Sequence, residues 1–441
     1  MPAPAALSHR SVLAIAVPIM LSNVSEPLIG VVNTAIIGRL PDPFYIGAIA
    51  VGSLIFSFIF WGFGFLRLST GGLSAQAVGA GDTGELVAVL IRALMIAAAA
   101  GLLVIVLSPL IRAIAFPLMG GSPEVRSHGE AYFNLRIWSA PFVFANYCVI
   151  GWFIGQAKAK LAFLVQIFLN LVNMALSAAF VLGLGMTSDG VGLAALLAEI
   201  LSALLALALA ARLLRQFSAH FDWARIFDSA RIWRTMAMNG DVMVRSLCVV
   251  FAFAWFTARG ARAGDLIIAA NAVLMNFFEV AAFLIDGFAY ASEALVGQAA
   301  GARDLSRYRA AVWLTSLWAV VTGALLSLVI WLAGPPLIDM MTVSPEVRET
   351  ARHYLGWAAL TPFLGAVCFQ FDGIFTGALA TRDMRNMMIV SVAVYLAAWA
   401  LLERPFGNHG LWAALEIFLI TRGLTFWSRM PAIERRLFQT A

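Results

Sequence analysis

The stretch Asn271–Asp304, NAVLMNFFEVAAFLIDGFAYASEALVGQAAGARD, decides how the rest of the chain is read. It is long and apolar enough to cross a bilayer, which takes about 20 residues. Yet it carries Glu279, Asp286 and Glu293. Its closing line, Gln298-Ala299-Ala300-Gly301-Ala302-Arg303-Asp304, echoes Gln76-Ala77-Val78-Gly79-Ala80-Gly81-Asp82 at an offset of 222. At the same offset of 222, Ser344-Pro345-Glu346-Val347 echoes Ser122-Pro123-Glu124-Val125, and Gly373 and Gly377 echo Gly151 and Gly155. Gly410-Leu411 echoes Gly192-Leu193 at 218. A constant offset over that length marks an internal duplication.

Composition names the solvent. Of 441 residues, 62% are hydrophobic and 12% charged, and the mean hydropathy is +0.89. Soluble domains are nearer half apolar and a quarter charged. Lipid cannot satisfy an open backbone, so repeated apolar runs predict an all-α integral membrane protein. About twelve transmembrane helices are expected, over roughly 11–38, 46–72, 86–108, 130–155, 161–185, 190–213, 231–258, 266–297, 308–333, 349–378, 385–402 and 408–428. The first run is too long for a signal-peptide core and lacks a small-x-small cleavage site, so it is kept as a span. The duplication divides the chain into a six-helix lobe at 1–213, a polar linker at 214–230 and a second six-helix lobe at 231–441.

Arginines and lysines in short loops stay cytoplasmic. With the N-terminus inside, the inner segments hold Arg10, Lys158, Lys160, Arg212, Arg215, Arg225, Arg231, Arg234 and the basic C-terminal residues, against fewer outside, such as Arg39, Arg112, Arg126 and Arg348. Both termini are then cytoplasmic in a multi-pass protein of the inner (plasma) membrane. The two six-helix repeats run parallel, an arrangement found among transporters. The net charge of +5 is spread over short loops, so no nucleic-acid partner is expected; the bilayer is the expected surrounding. Cys148, Cys248 and Cys368 sit inside apolar runs without metal-ligand spacing. The five histidines, at 9, 128, 220, 353 and 409, lie at ends and loops without ligand spacing, so an enzyme is not expected. No phosphate-binding loop appears, and no cofactor is expected beyond a coupling ion, H+ or Na+.

Ionisable groups inside spans are costly and point to function. Glu26 lies beside Pro27 in the first span, where Pro18 and Pro27 can bend the helix. Asp241 and Arg245 are four apart and can pair on one helix face, a pairing that serves structure as readily as coupling. Glu279, Asp286 and Glu293 are spaced by seven, nearly two turns, and form one stripe with steps of roughly 10 Å. Glu293, nearest the end, can equally solvate that end. Asp241, Asp286 and Asp372 fall at similar depth and can share a pocket that takes a proton or jointly holds a sodium ion. At offset 222 their first-copy counterparts are uncharged: Gly64 for Asp286, Gly71 for Glu293 and Ile150 for Asp372. Asn170 and Asn173 present amides on one face, for a helix–helix bond or a ligand. Met20, Met275 and Phe278 offer adaptable apolar walls for a substrate, or plain packing.

These residues carry a resemblance over nearly the whole length. The lines PLIGVVNTAIIGRL (27–40), FLRLSTGGLSAQA (65–77), NLVNMAL (170–176), NGDVMVRSL (239–247), DGFAYASEA (286–294) and GNHGLW (407–412) resemble the multidrug and toxic compound extrusion (MATE) transporters, in the DinF (DNA-damage-inducible protein F) branch. The resemblance implies a V-shaped pair of six-helix lobes. It also implies a secondary antiporter that exports amphipathic, cationic small molecules by alternating access, in exchange for H+ or Na+. The branch usually has aspartates where this chain has Asn33 and Ser177. Neither residue titrates in the working range. Coupling is therefore expected at Asp241, Asp286 and Asp372, with Glu26, Glu279 and Glu293 as further candidates. The substrate cavity is expected around Asn33, Asn173, Ser177, Met20, Met275 and Phe278. A lipid-linked precursor flippase of the same superfamily and a non-transporting membrane sensor are the alternatives. A monomer is expected.

Overall fold

The computed structural model describes residues 7–40, 42–216 and 222–439, and among them the ordered backbone is helical, with no strand. Two compact units form: Leu21–Thr235, and Met1–Met20 together with Met236–Ala441.

The first unit takes most of α1 (His9–Ile37), then α2 (Phe44–Gly62), α3 (Phe65–Gly79), α4 (Thr83–Val106), α5 (Ser108–Met119), α6 (Pro123–Arg136), α7 (Ala140–Gly155), α8 (Ala159–Ala178) and α9 (Ser188–Gln216). α2 and α3 are two halves of one span, bent at Phe63-Gly64, and a single 3-10 turn, Ile137–Ser139, joins α6 to α7. α7 packs against α3 and α4, and α6 against α2 and α9. The short α10 (Trp223–Ile226) rests on α4.

The second unit is built from α11 (Ser229–Arg262), α12 (Asp265–Gly301), α13 (Leu305–Met341), α14 (Pro345–Gly377), α15 (Thr381–Phe406) and α16 (Asn408–Phe438). α14 lies against α12, α13 and α16, and α15 against α16. The start of α1 also belongs here: the Trp318 indole N–H donates to Nδ1 of His9 at 3.1 Å. α1 runs through both Pro18 and Pro27 without a break.

The unit boundaries thus fall inside α1 and α11, at Met20 and Thr235. Of the 214–230 connection, residues 217–221 lie outside the described residues; α9 reaches Gln216 on one side and α10 and α11 occupy much of the other. Among the described residues, eleven helices are long and apolar enough to cross a membrane. α16 is as long, at 31 residues, but carries Glu416, Arg422 and Arg429 along its length. Together they account for the twelve expected spans. Apolar side chains face outward, Trp61, Leu118, Trp331 and Leu401 among them, while Arg92, Glu293, Asp372, Glu416 and Arg422 are buried. That distribution suits a hydrocarbon solvent.

The duplication is visible in the packing. A Cβ on Gly151 would strike the carbonyl of Arg67, and one on Gly373 the carbonyl of Ala289; both members of each pair are 222 apart from their counterparts. Likewise Gly155 lies against Gly71 and Ala75, and Gly377 against Glu293 and Gly297. The same helix crossing, α7 on α3 and α14 on α12, is held open by the same missing side chains. Helix starts repeat too. Asp82 accepts from the Glu85 N–H and Asp304 from the Arg307 N–H, both at 2.9 Å. Ser122 and Ser344 cap α6 and α14 in the same way. Even the left-handed residues match: Gly81 (φ 67°) with Arg303 (φ 53°), and Ala157 (φ 58°) with Leu379 (φ 52°).

Backbone at this crossing cannot move aside as a side chain can. Gly373→Ala is expected to destabilise the second unit by about 1–3 kcal/mol. Gly30→Ala, where nothing lies within 4 Å, is expected to leave the chain unaffected. Melting in detergent reads both; equal melting of Gly373→Ala and the parent would contradict the crossing.

Candidate functional site

The second unit buries one carboxylate between two arginines. Asp372, late in α14, accepts from Arg245 of α11 and from Arg422 of α16 on the same oxygen, Oδ2. Arg422 is 1% exposed and its guanidinium lies over the Phe369 and Phe426 rings at 5.5 and 6.0 Å. Aromatic faces help to hold a desolvated cation. Asp286 of α12 stands within electrostatic reach of both Arg245 and Arg422. The group therefore has two cations and two carboxylates, contributed by four helices. It is not fully satisfied: Asp372 Oδ1 and the Nε atoms of Arg245 and Arg422 are buried with no hydrogen-bond partner among the described residues. Below it, the Gln370 amide donates to Thr315 Oγ1 at 2.6 Å and the Ser292 hydroxyl donates to the Ala289 carbonyl at 2.8 Å.

Two expectations are corrected here. Arg245 does not pair with Asp241 one turn away; it reaches across to Asp372. Asp241 instead accepts from Arg385 Nη1 at 2.6 Å and Thr381 Oγ1 at 3.1 Å, both from the first turns of α15. The reason is position. Asp241 sits level with the start of α15, while Arg245, one turn deeper, is level with Asp372 and has a longer side chain. The three aspartates thus divide between two ion-pair groups, Asp286 and Asp372 in one and Asp241 in the other, and cations of the protein already sit against both Asp241 and Asp372.

The stripe on α12 is graded rather than uniform. Glu279 is exposed, Asp286 half-buried and Glu293 fully buried, so Glu293 is not a solvated end group. Phe278 is buried in an aromatic cluster with Phe253 at 5.1 Å and Phe369 at 6.0 Å. Met20 packs onto Gly287, and Met275 is half-buried.

In the first unit the amides do meet. Asn33 Nδ2 donates to Asn173 Oδ1 at 3.4 Å, and Asn170 Nδ2 donates to Ser25 Oγ at 2.7 Å. Ser177 is fully buried, and its hydroxyl and Asn33 Oδ1 have no partner among the described residues. This is a polar seam between α1 and α8 with spare acceptors. α1 passes through Glu26, whose side chain lies outside the described residues.

Sequence reasoning passed over Arg422 and Glu416, although both lie in the middle of the span read at 408–428. Glu416 is 3% exposed and accepts from the Thr361 hydroxyl at 2.5 Å, with no cation beside it among the described residues. Charges in mid-span were the available signal; their partners, being on other helices, were not.

Two six-helix repeats with ionisable groups buried in each define a polytopic transporter rather than an enzyme. The MatE family model matches residues 18–179 and 242–399, one stretch in each copy, and the chain belongs to that family. It is 38% identical over 436 residues to DNA damage-inducible protein F of Escherichia coli (strain K12), covering 97% of this chain and 92% of that protein. It is similar in fold to a crystal structure of MATE in the bent conformation, with a TM-score of 0.88 at 18% identity over 97% of this chain and 96% of that one. A structure described as the outward-facing conformation of a multidrug resistance MATE family transporter matches with a TM-score of 0.83 at 19% identity, over 97% of both chains.

Breaking a buried ion pair by removing one partner costs about 3–5 kcal/mol, whereas an exposed pair contributes about 0–1. Arg422→Met is therefore expected to lower the apparent melting temperature well below that of Glu434→Gln, which removes the exposed pair with Arg309. Indistinguishable melting of the two variants would show that Arg422 does not hold Asp372.

Proposed function

We propose that this chain is a secondary antiporter of the inner membrane, with both termini cytoplasmic, which exports amphipathic cationic small molecules in exchange for protons. Its family membership supports transport, and it shares its fold with a structure described as a multidrug resistance MATE family transporter. The observation that carries the coupling is the group Asp372, Arg245, Arg422 and Asp286. A sodium ion needs several oxygen ligands and no competing cation beside them. Here two guanidiniums hold the carboxylate that would supply those oxygens. A proton needs only one carboxylate oxygen. Placed on Asp286 or Asp372, it upsets the balance of two against two and frees an arginine from its partner. Such a change gives one conformation a different proton affinity from another, which alternating access requires. Asp241, held by Arg385 and Thr381, serves to fix α11 to α15 in this reading.

A lipid-linked precursor flippase would need free positive charge for an anionic headgroup, and Arg245 and Arg422 are both engaged by carboxylates. At this buried group the balance of charge favours the antiporter. Efflux of a fluorescent lipophilic cation, driven by an ion gradient and normalised to protein in the membrane, tests it. Asp286→Asn and Asp372→Asn are expected to insert but to lose at least about tenfold in flux, the scale of one removed charge interaction of roughly 1.4 kcal/mol. Glu279→Gln, on an exposed position, is expected to keep most of it. Wild-type flux in both aspartate variants, with Glu26→Gln dead, would move coupling to the first unit.

A further inference from the structure

A charged cavity lies at helix ends of the first unit. It has a volume of about 270 Å³ and is lined by Leu73, Glu85, Arg92, Arg231, Arg234 and Thr235. That is smaller than the ~300–1,000 Å³ of pockets for drug-sized ligands. Three guanidiniums against one carboxylate leave a net charge of two positive on its walls.

The arginines are not all used by the protein. Arg92 is 3% exposed; it donates to Glu85 and, through Nη1, to the Arg225 carbonyl at 3.0 Å, while its buried Nε has no partner among the described residues. Arg231 shares Glu85 and also faces Asp228. Arg234 is exposed and makes no hydrogen bond or ion pair among the described residues. The neighbouring Arg225 is held elsewhere, donating to Asp82 Oδ1 at 2.6 Å. Burial raises the Asp82 carboxyl, but the Glu85 N–H and Arg225 outweigh it and hold the group below its ordinary range, so that pair stays charged and closed to a ligand.

Two further features say what the charge is for. First, the duplication supplies a control: at offset 222, Glu85 becomes Arg307 and Arg92 becomes Leu314. The repeated scaffold folds without this group, so the cavity is an addition to one copy. Second, exposed aromatic rings stand at the same helix ends. Trp233, on α11 between Arg231 and Arg234, is 75% exposed, and Trp223 and Phe227 stack at a ring separation of 6.0 Å with both rings exposed. Tryptophan concentrates at the headgroup level of bilayers. Arginine pockets at that level between membrane helices take lipid phosphates.

We propose that this cavity is a binding site for an anionic phospholipid, whose phosphodiester is taken by Arg92 Nε and Arg234 while Trp233 sits among the headgroups. Such a lipid ties α4 to the start of α11 on the side of the connection between the two copies.

The test is native mass spectrometry of the full chain in detergent, offered phosphatidylglycerol or phosphatidylcholine. Retention of phosphatidylglycerol over phosphatidylcholine is expected, with about fivefold weaker retention in Arg234→Gln, the scale of one basic contact to an anionic headgroup. Arg234 is exposed and unpaired, so that variant keeps its fold; Arg262→Gln, exposed on the far end of α11, is expected to retain lipid as the parent does. Equal retention of the two lipids would overturn the proposal, and so would unchanged retention in Arg234→Gln. Inorganic phosphate is the competing source of the same chemistry. If it displaces phosphatidylglycerol completely and raises the melting temperature as much in its absence, the site is for free phosphate and the lipid assignment falls.

Discussion

A carboxylate sunk among apolar helices needs cations with it, and Asp372 has two. Burying a lone charge costs far more than a folded chain can bear, so such groups persist only when paired. The pairing dictates much of the second unit. α14 must bring Asp372 to the level of Arg245 on α11 and Arg422 on α16, and α12 must bring Asp286 near both. The helix crossing that permits this rests on Gly373 and Gly377, immediately after Asp372 and one turn beyond. Position of the charge and closeness of the helices are therefore one constraint. The group has balanced charges but unfilled hydrogen-bonding atoms, and in the proposed coupling one added proton changes which partner each arginine prefers.

The two copies show which features belong to the fold and which to function. Backbone contacts, caps and left-handed residues recur at 222 with little change. Charges inside the spans do not recur. The second copy carries Asp286, Glu293 and Asp372 where the first has Gly64, Gly71 and Ile150, and the first carries Arg92 where the second has Leu314. Selection of a scaffold keeps glycine where a carbonyl approaches; it leaves the side chains facing the interior free to diverge. The first unit keeps a neutral seam, Asn33 with Asn173 and Ser25 with Asn170, where an ionisable pair could stand.

The fold was largely legible in the chain because membrane helices are specified locally, by length and apolarity, and because duplication repeats the evidence. The spans and the repeat follow from composition and spacing; that Gly151 and Gly373 mark the closest helix approach is seen only in the packing. The site was only half legible. Asp286 and Asp372 stand out as acids inside spans, yet their partners come from other helices. Local spacing favoured Asp241 with Arg245, and the structure instead matches residues by depth: Asp241 to Arg385, Arg245 to Asp372. Arg422 and Glu416 were hidden for a related reason. α16 reads as an ordinary span, and its charges gain meaning only from the faces of α14 that meet them. The unit boundary inside α1 was illegible too, since one apolar helix gives no sign of where its packing partners change.

On the proposed reading, the paired arginines leave room for a proton and none for a sodium ion. Purified protein in liposomes, with a pH gradient and a sodium gradient imposed separately at zero membrane potential, measures it directly. A pH gradient alone is expected to drive flux of a lipophilic cation, and a sodium gradient alone to drive none. Sodium-driven flux that disappears in Asp372→Asn would contradict it, because the ion would then have to bind where Arg245 and Arg422 now sit.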